Sequence, residues 1–533
     1  MRQLSGNDAR FLYSDTAQAN ANITKIQIYD QSTAPGGKVR FKSILAHIEG
    51  RLDRSPVFRQ KLHRVPLELD YPYWIEDENF DLEYHVRHIA LPKPGDWRQF
   101  CIQASRIHAR PLDLNRPLWE IYVIEGLDGF LDLPPGSFAL LTKMHHAAID
   151  IEAGGITTLL HDTIPDPPAA APPEPWFPEA PPGRVAMLMR GIGNNLASPF
   201  RLARAVARLA PSAFSLAGEI LLRPERVAPT RFNAVVSAHR VFETRRFMLD
   251  EFKAICSLVG GATVNDAVLA VCGGALRRYL EGEHELPEAS LTAVAPYYLR
   301  AVEGAGGDKP VVSWVRVLLG TDIADPLRRL AQIQRQTAAS ETIAQAIGAR
   351  ELADIGSHTS SVTLALTSKM LGRAAAGIER RAPLAHCTIT NVPGPAAPLY
   401  MCGARMTYFS AIMPIADGMG LVFAVTSYDG RVIISPTSCR ELMPDPAHFA
   451  QCIRDSFHEY LMLVQAPASV SARPRRTPVR AAAVVRPARP LRPARTRGSS
   501  SGTAPRKRPR AGTASTVLPA GPGGRQRYKA RSH

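Results

Sequence analysis

A chain of 533 residues, 45% hydrophobic and with a mean hydropathy near zero (−0.10), is too long for one ordinary core and fits two domains with appendages. Its net charge of +16 is local: residues 466–533 hold 17 Lys and Arg and no acid, leaving a neutral body of 47 basic and 48 acidic residues. Seven scattered cysteines without a C-x-x-C pair exclude a disulfide frame and a zinc ribbon, and point to reduced thiols.

The opening Met1-Arg2-Gln3-Leu4-Ser5-Gly6-Asn7-Asp8 carries no apolar core of a secretory signal, and no uncharged apolar run reaches the roughly 18 residues a membrane span needs. The expected place is therefore the cytoplasm, with any lipid contact peripheral. Residues 1–164 read as one α/β unit. Ile23 to Tyr29 alternates like a strand, Phe41 to Leu52 and Trp97 to Ala109 have helical apolar spacing, and Pro117-Leu118-Trp119-Glu120 feeds a strand over Ile121 to Ile124. Ser137 to Leu141 is short and apolar, as a buried strand is, and runs into Lys143-Met144-His145-His146-Ala147-Ala148-Ile149-Asp150.

A neutral imidazole at the end of a buried strand can take a proton from a hydroxyl near neutral pH. Asp150 stands too close in sequence to be a free partner; it locks the turn or pairs with a basic side chain that keeps the imidazole oriented. Alone, such a cluster is more often structural than catalytic. A metal site is not expected, because the spacing is not H-E-x-x-H and adjacent histidines point apart on a strand or a helix.

Residues 165–229 begin with prolines too dense for a regular element, followed by an acid-poor amphipathic stretch from Arg184 to Leu222. A connector helix is its plain reading; docking on an anionic membrane is the functional one. Residues 230–465 form a second α/β unit. It has a helix over Leu249 to Gly260, a buried helix over Ala267 to Leu280, strands near Leu291 and Val311, helix from Asp325 to about Arg381, and a strand over Gly420 to Tyr428. Residues 466–533 are Ala, Pro and Arg rich and cannot bury enough surface to fold; without interleaved aromatics, no specific nucleic-acid readout is expected of this basic tail.

Several stretches together resemble the bacterial wax ester synthase/diacylglycerol acyltransferase family. His145-His146-Ala147-Ala148-Ile149-Asp150 resembles its HHxxxDG motif, Pro117-Leu118-Trp119-Glu120 its PLW-E stretch, and Leu4-Ser5-Gly6-Asn7-Asp8 with Phe11-Leu12 its opening. Thr263-Val264-Asn265-Asp266 matches the ND motif and Asn391-Val392-Pro393-Gly394-Pro395 the NVPGP motif, so the resemblance spans roughly residues 4–465 in order.

The resemblance implies an α/β (α+β) fold of two chloramphenicol acetyltransferase-like, CoA-dependent acyltransferase-like domains with a tunnel between them. It implies transfer of a fatty acyl group from acyl-CoA to diacylglycerol or a long-chain alcohol. His146 would be the general base, His145 supporting and Asp150 structural. Asn265 is a hydrogen-bond donor or site organiser, or else a helix cap beside Asp266. Asn391, Pro393 and Gly394 shape a tight turn at the tunnel. Pro117 and Trp119 lie before the catalytic strand, where Trp119 is more often core than substrate contact. No cofactor is expected beyond acyl-CoA as substrate, and partners are the acyl acceptor and a membrane or lipid-inclusion surface. A thioester needs no covalent intermediate, and no G-x-S-x-G elbow occurs.

Two departures stand out. Ile151 occupies the place of the motif glycine, and Tyr297 and Tyr298 follow Pro296 where small residues are usual. A β-branched residue is strained where φ is positive, which motivates a second reading: a weakened family member that binds acyl-CoA or lipid surfaces.

Overall fold

The structure, a computed structural model, describes residues 1–130, 133–149, 159–167, 175–194, 227–299, 311–346, 385–395 and 397–465. Along the chain, β1 (Arg2–Gln3) leads into α1 (Gly6–Ser14), which Ser5 caps by accepting from the Asp8 N–H, and then into β2 (Asn22–Asp30). α2 (Phe41–Glu49), β3 (Gln60–His63), β4 (Tyr73–Glu76), α3 (Leu82–His85) and β5 (Val86–Ala90) follow. Next come α4 (Trp97–Ala109), β6 (Trp119–Glu125) and β7 (Phe138–His145).

The second half supplies β8 (Arg240–Phe242), β9 (Arg245–Met248), α5 (Leu249–Cys256), α6 (Val264–Gly282), β10 (Thr292–Leu299), β11 (Val311–Leu318) and α7 (Pro326–Ala346). It closes with β12 (Cys387–Pro393), β13 (Tyr400–Met401), β14 (Ala404–Ile412), β15 (Val422–Tyr428), β16 (Arg431–Cys439) and α8 (Pro446–Gln465).

Among the described residues three sheets form: β1-β4-β3, β13-β14-β2-β7-β6-β5, and β11-β10-β12-β15-β16-β8 with β9 also on β16. In the second sheet β7 is buried at every residue, because it lies between β2 and β6 and both its faces are covered. The period of two sends Phe138, Leu140 and Met144 into one core and Ala139 and Leu141 into another. α4 covers the second face. Phe100, Cys101, Ala104 and Ile107 stand at helical spacing against Ile26, Ile28 and Tyr122, and Asp96 with Gln99 closes a capping box at its start.

The two halves are interleaved. Contacts gather Met1–Pro467 into one compact unit, and β14, from late in the chain, pairs antiparallel with β2 from Arg405↔Asp30 to Ile412↔Thr24. Phe242 and Ile433 of the third sheet enter the core under α4. The other large core is built around α6, whose residues Asp266 to Leu276 are all buried, with α8 and strands β12, β15 and β16 packed about it.

Residues 175–183 form no regular element, and the helical stretch 184–194 docks through Met187 on Val65 and Tyr73. Expectations for 195–222, for the helix beyond Ala346 and for the tail from 466 fall outside the described residues.

Candidate active site

β7 ends at His145, where the chain turns into a short 3-10 helix, His146–Ala148. Three elements fix that turn. The His145 N–H donates to the Leu118 carbonyl at 3.0 Å, directly after Pro117, and the His146 N–H donates to the Ala21 carbonyl at 2.8 Å. The His145 ring caps the turn: Nδ1 accepts the Ala147 N–H at 3.1 Å. Because a backbone N–H only donates, Nδ1 is the acceptor and Nε2 carries the proton. Nε2 therefore donates to Oδ2 of Asp15, 3.0 Å away, whose other oxygen accepts the Ala21 N–H at 2.8 Å. His145 is thus fully occupied and holds the turn that presents its neighbour.

His146 has a different environment. Its ring stacks on Phe11 of α1, with centroids 3.7 Å apart and planes at 19°, and the Arg10 guanidinium lies 4.8 Å from the far ring. Nδ1 is buried and has no hydrogen-bond partner. Burial, with a smaller push from His145 and Arg10, lowers the imidazole pKa to about 4. At neutral pH the ring is uncharged, with a lone pair available to a hydroxyl. A buried polar nitrogen without a partner calls for an explanation, and a ligand group facing it is one.

The carboxylate that orients this histidine pair is Asp15, which the sequence reading passed over; Asp150, together with Ile151, lies outside the described residues. The opening Leu4-Ser5-Gly6-Asn7-Asp8 with Phe11-Leu12 held the clue, since α1 brings Phe11 and Asp15 to the turn. Trp119 is core. Its indole N–H donates to the Phe58 carbonyl at 3.0 Å and His85 stacks on it at 4.5 Å, while Pro117 is buried beside it.

Asp266 is committed to its helix. Its Oδ2 accepts from the Thr263 N–H and hydroxyl, both at 2.8 Å, and its Oδ1 from Thr337 of α7 at 2.7 Å. Asn265 sits half-buried in the first turn of α6. The stretch Asn391 to Pro393 is the end of β12 rather than a turn, paired in parallel with β15 from Asn391↔Val425 to Pro393↔Ser427. Pro393 has no N–H to give, so Gly394 donates to the Ser427 carbonyl at 2.8 Å. None of Asn265, Asp266, Asn391 or Gly394 bonds to His145 or His146 among the described residues.

Gly394 tolerates no side chain: a Cβ there would lie 2.3 Å from the Ser427 carbonyl oxygen and 3.3 Å from Phe409. Gly394→Ala is expected to destabilise the fold by about 1–3 kcal/mol, seen as a lower urea midpoint with an unchanged m-value.

Two family models cover most of the chain. The wax ester synthase/diacylglycerol acyltransferase catalytic domain matches residues 4–268, and the WS/DGAT C-terminal domain matches residues 311–460. A Mycobacterium tuberculosis protein provisionally named a diacylglycerol O-acyltransferase is 31% identical over 451 residues, 84% of this chain and 87% of its own. A second from the same organism, named likewise, is 33% identical over 441 residues, 80% and 90%. Among solved structures, the wax ester synthase/diacylglycerol acyltransferase from Marinobacter aquaeolei VT8 superposes with a TM-score of 0.61 at 24% identity, covering 87% of this chain and 99% of that one. The trichothecene 15-O-acetyltransferase of Fusarium sporotrichioides gives 0.52 at 11% identity, covering 87% and 94%. Both structural likenesses speak to the fold alone.

Proposed function

The chain belongs to the wax ester synthase/diacylglycerol acyltransferase family, and from that premise we propose that it moves a fatty acyl group from acyl-CoA to the hydroxyl of diacylglycerol or a long-chain alcohol, with His146 as general base. The observation that carries the assignment is the half-buried, uncharged His146 ring with an unpartnered Nδ1, next to a His145 whose two ring nitrogens are both committed. The acceptor hydroxyl gives its proton to that ring as its oxygen attacks the thioester carbonyl. The carbon–sulfur bond then breaks, and the imidazolium returns the proton to the departing thiolate, leaving ester and free CoA. A base with a pKa of about 4 is too weak to strip an alcohol beforehand, so proton transfer accompanies carbon–oxygen bond formation. The reaction so written needs no bound cofactor. Its test is free CoA released from palmitoyl-CoA, with hexadecanol and dioleoylglycerol offered separately. Release that ignores the acceptor, or that survives in His146→Ala, overturns the assignment.

Ile151 in place of the motif glycine supports a second reading, a member with slowed turnover that still binds acyl-CoA. In that case Ile151→Gly raises acceptor-dependent release well above wild type, and an unchanged rate removes the reading.

The acceptors proposed are lipids, and the reading places the protein in the cytoplasm at a membrane or lipid-inclusion surface. No helix among the described residues is long and apolar enough to cross a membrane. Support comes from an apolar exposure around the helical stretch 184–194: Val185 and Met189 are exposed there, and Leu67, beside Val65, is 84% exposed in a left-handed conformation with φ 59°. Leu67→Asp with Met189→Glu should cut co-sedimentation with vesicles by about tenfold or more, since each change loses buried apolar area and adds like charge to an anionic surface. Equal sedimentation of wild type and variant removes this face as the contact.

A further inference from the structure

A groove of about 910 Å³ opens beside α4, walled by α4, by residues 238–243 that include β8, and by Arg440 and 444–447 at the start of α8. Five arginines line it: Arg98, Arg106 and Arg110 from α4 and its end, Arg240 of β8, and Arg440. Arg98, Arg106, Arg110 and Arg440 are exposed, and none has a carboxylate within ion-pair distance among the described residues. Arg240 is buried and, among the described residues, donates only to backbone, the Gln18 carbonyl at 2.6 Å and that of Ser237.

The acids at the groove are committed elsewhere. Glu243 accepts from the Trp97 indole at 2.5 Å and pairs with Arg245 at 3.4 Å; Asp445 caps the start of α8 through the Ala447 and His448 N–H groups, both at 3.0 Å. Glu441, next to the wall, takes His239 at 3.1 Å and Ser237. Guanidinium groups gathered in a concave site without counter-charges repel one another and are stabilised by a ligand with several closely spaced anionic oxygens.

One lining residue, Arg110, is tied through its backbone to the strand that bears the histidine turn. The Arg110 carbonyl accepts from Lys143 of β7 at 2.5 Å and from Asn22 of β2 at 3.2 Å, and Asn22 is the register partner of His145.

We infer that this arginine groove receives the phosphate-bearing nucleotide end of the acyl-CoA donor, its diphosphate and 3′-phosphate, so that the thioester arm runs along the end of α4 toward His146. The inference rests on the acyl-CoA reading above and adds the residues that would hold the donor. The size of the cavity suits a nucleotide, and the crowding of fork-shaped donors suits phosphate oxygens more than a single carboxylate.

The test compares wild type with the triple variant Arg98→Gln/Arg106→Gln/Arg440→Gln, all at exposed positions, after equal thermal midpoints show that the fold is kept. Adenosine 3′,5′-bisphosphate is titrated calorimetrically, and KM and kcat for palmitoyl-CoA are measured in parallel. The expected result is at least tenfold weaker nucleotide binding and a KM raised by a similar factor, the larger part of the loss falling on KM. The Arg→Lys triple, which keeps charge and loses the fork, should lie between. Wild-type nucleotide affinity in the Gln triple overturns the inference. So does a triple that loses only its binding to phosphatidylglycerol vesicles, which would make the groove a lipid-headgroup site. A wild type that turns over no acyl-CoA yet binds the bisphosphate through these arginines sinks the transferase reading and leaves the groove a nucleotide-phosphate site. Failure of both in wild type removes both.

Discussion

His146→Ala is expected to lower acceptor-dependent CoA release by on the order of 10²–10⁴-fold, the range a positioned general base supplies. The fold should tolerate the change, because among the described residues His146 makes no side-chain hydrogen bond and gives up only a half-exposed stacking contact with Phe11. The same residue predicts the acid limb of the wild-type pH profile. The ring works only when neutral, and burial lowers its pKa to about 4, so kcat/KM should hold its plateau as pH falls through the ordinary imidazole range and decline only toward pH 4–5. A limb centred near 6.5 in wild type would mean that the working ring is solvated. Loss of the limb in the residual activity of His146→Ala assigns it to this ring.

Asp15→Asn is expected to cost on the order of 10²-fold in kcat with KM little changed, because the pair it disturbs positions the base and touches no substrate. The carboxylate serves two donors, His145 Nε2–H through Oδ2 and the Ala21 N–H through Oδ1. An amide has one acceptor oxygen, so in either orientation its NH2 meets one of those donors. His145 cannot adapt by shifting its proton to Nδ1, since Nδ1 is held by the Ala147 N–H. The turn must loosen, and the His146 ring with it. Stability measured alongside separates the roles: a purely structural Asp15 would lower the midpoint and leave kcat of the folded fraction intact.

Local pattern made much of this legible. β2, α4 and β7 stand where apolar alternation and helical spacing placed them, α4 with the expected bounds, because a fully covered strand and a one-faced helix write their burial into the sequence. The histidine pair was visible as a motif. Its partner was not: Asp15 is 130 positions from His145, and nothing local to either residue records that α1 folds back on the end of β7. The Asn391–Gly394 stretch was misread for a related reason. Proline and glycine there punctuate a strand end, where the missing proline N–H is replaced by that of Gly394, and their composition alone resembles a turn. Residues 404–412, which the sequence reading did not assign to a strand, join a sheet whose strands other than β13 lie hundreds of residues earlier.

That strand sets a timetable for synthesis. When the ribosome has delivered the first 164 residues, β2 has β7 on one side and an unpaired edge on the other, and its partner β14 emerges about 240 residues later. At roughly 5–20 residues per second the edge stays open for some 12–50 s, ample time for a nascent chain to pair with a neighbour on the same messenger. The first half therefore does not mature as a free-standing module. Expressed without residues 404–412 it would carry an adhesive seam, and the sheet that holds the histidine turn at the end of β7 is completed only when nearly the whole chain has been made.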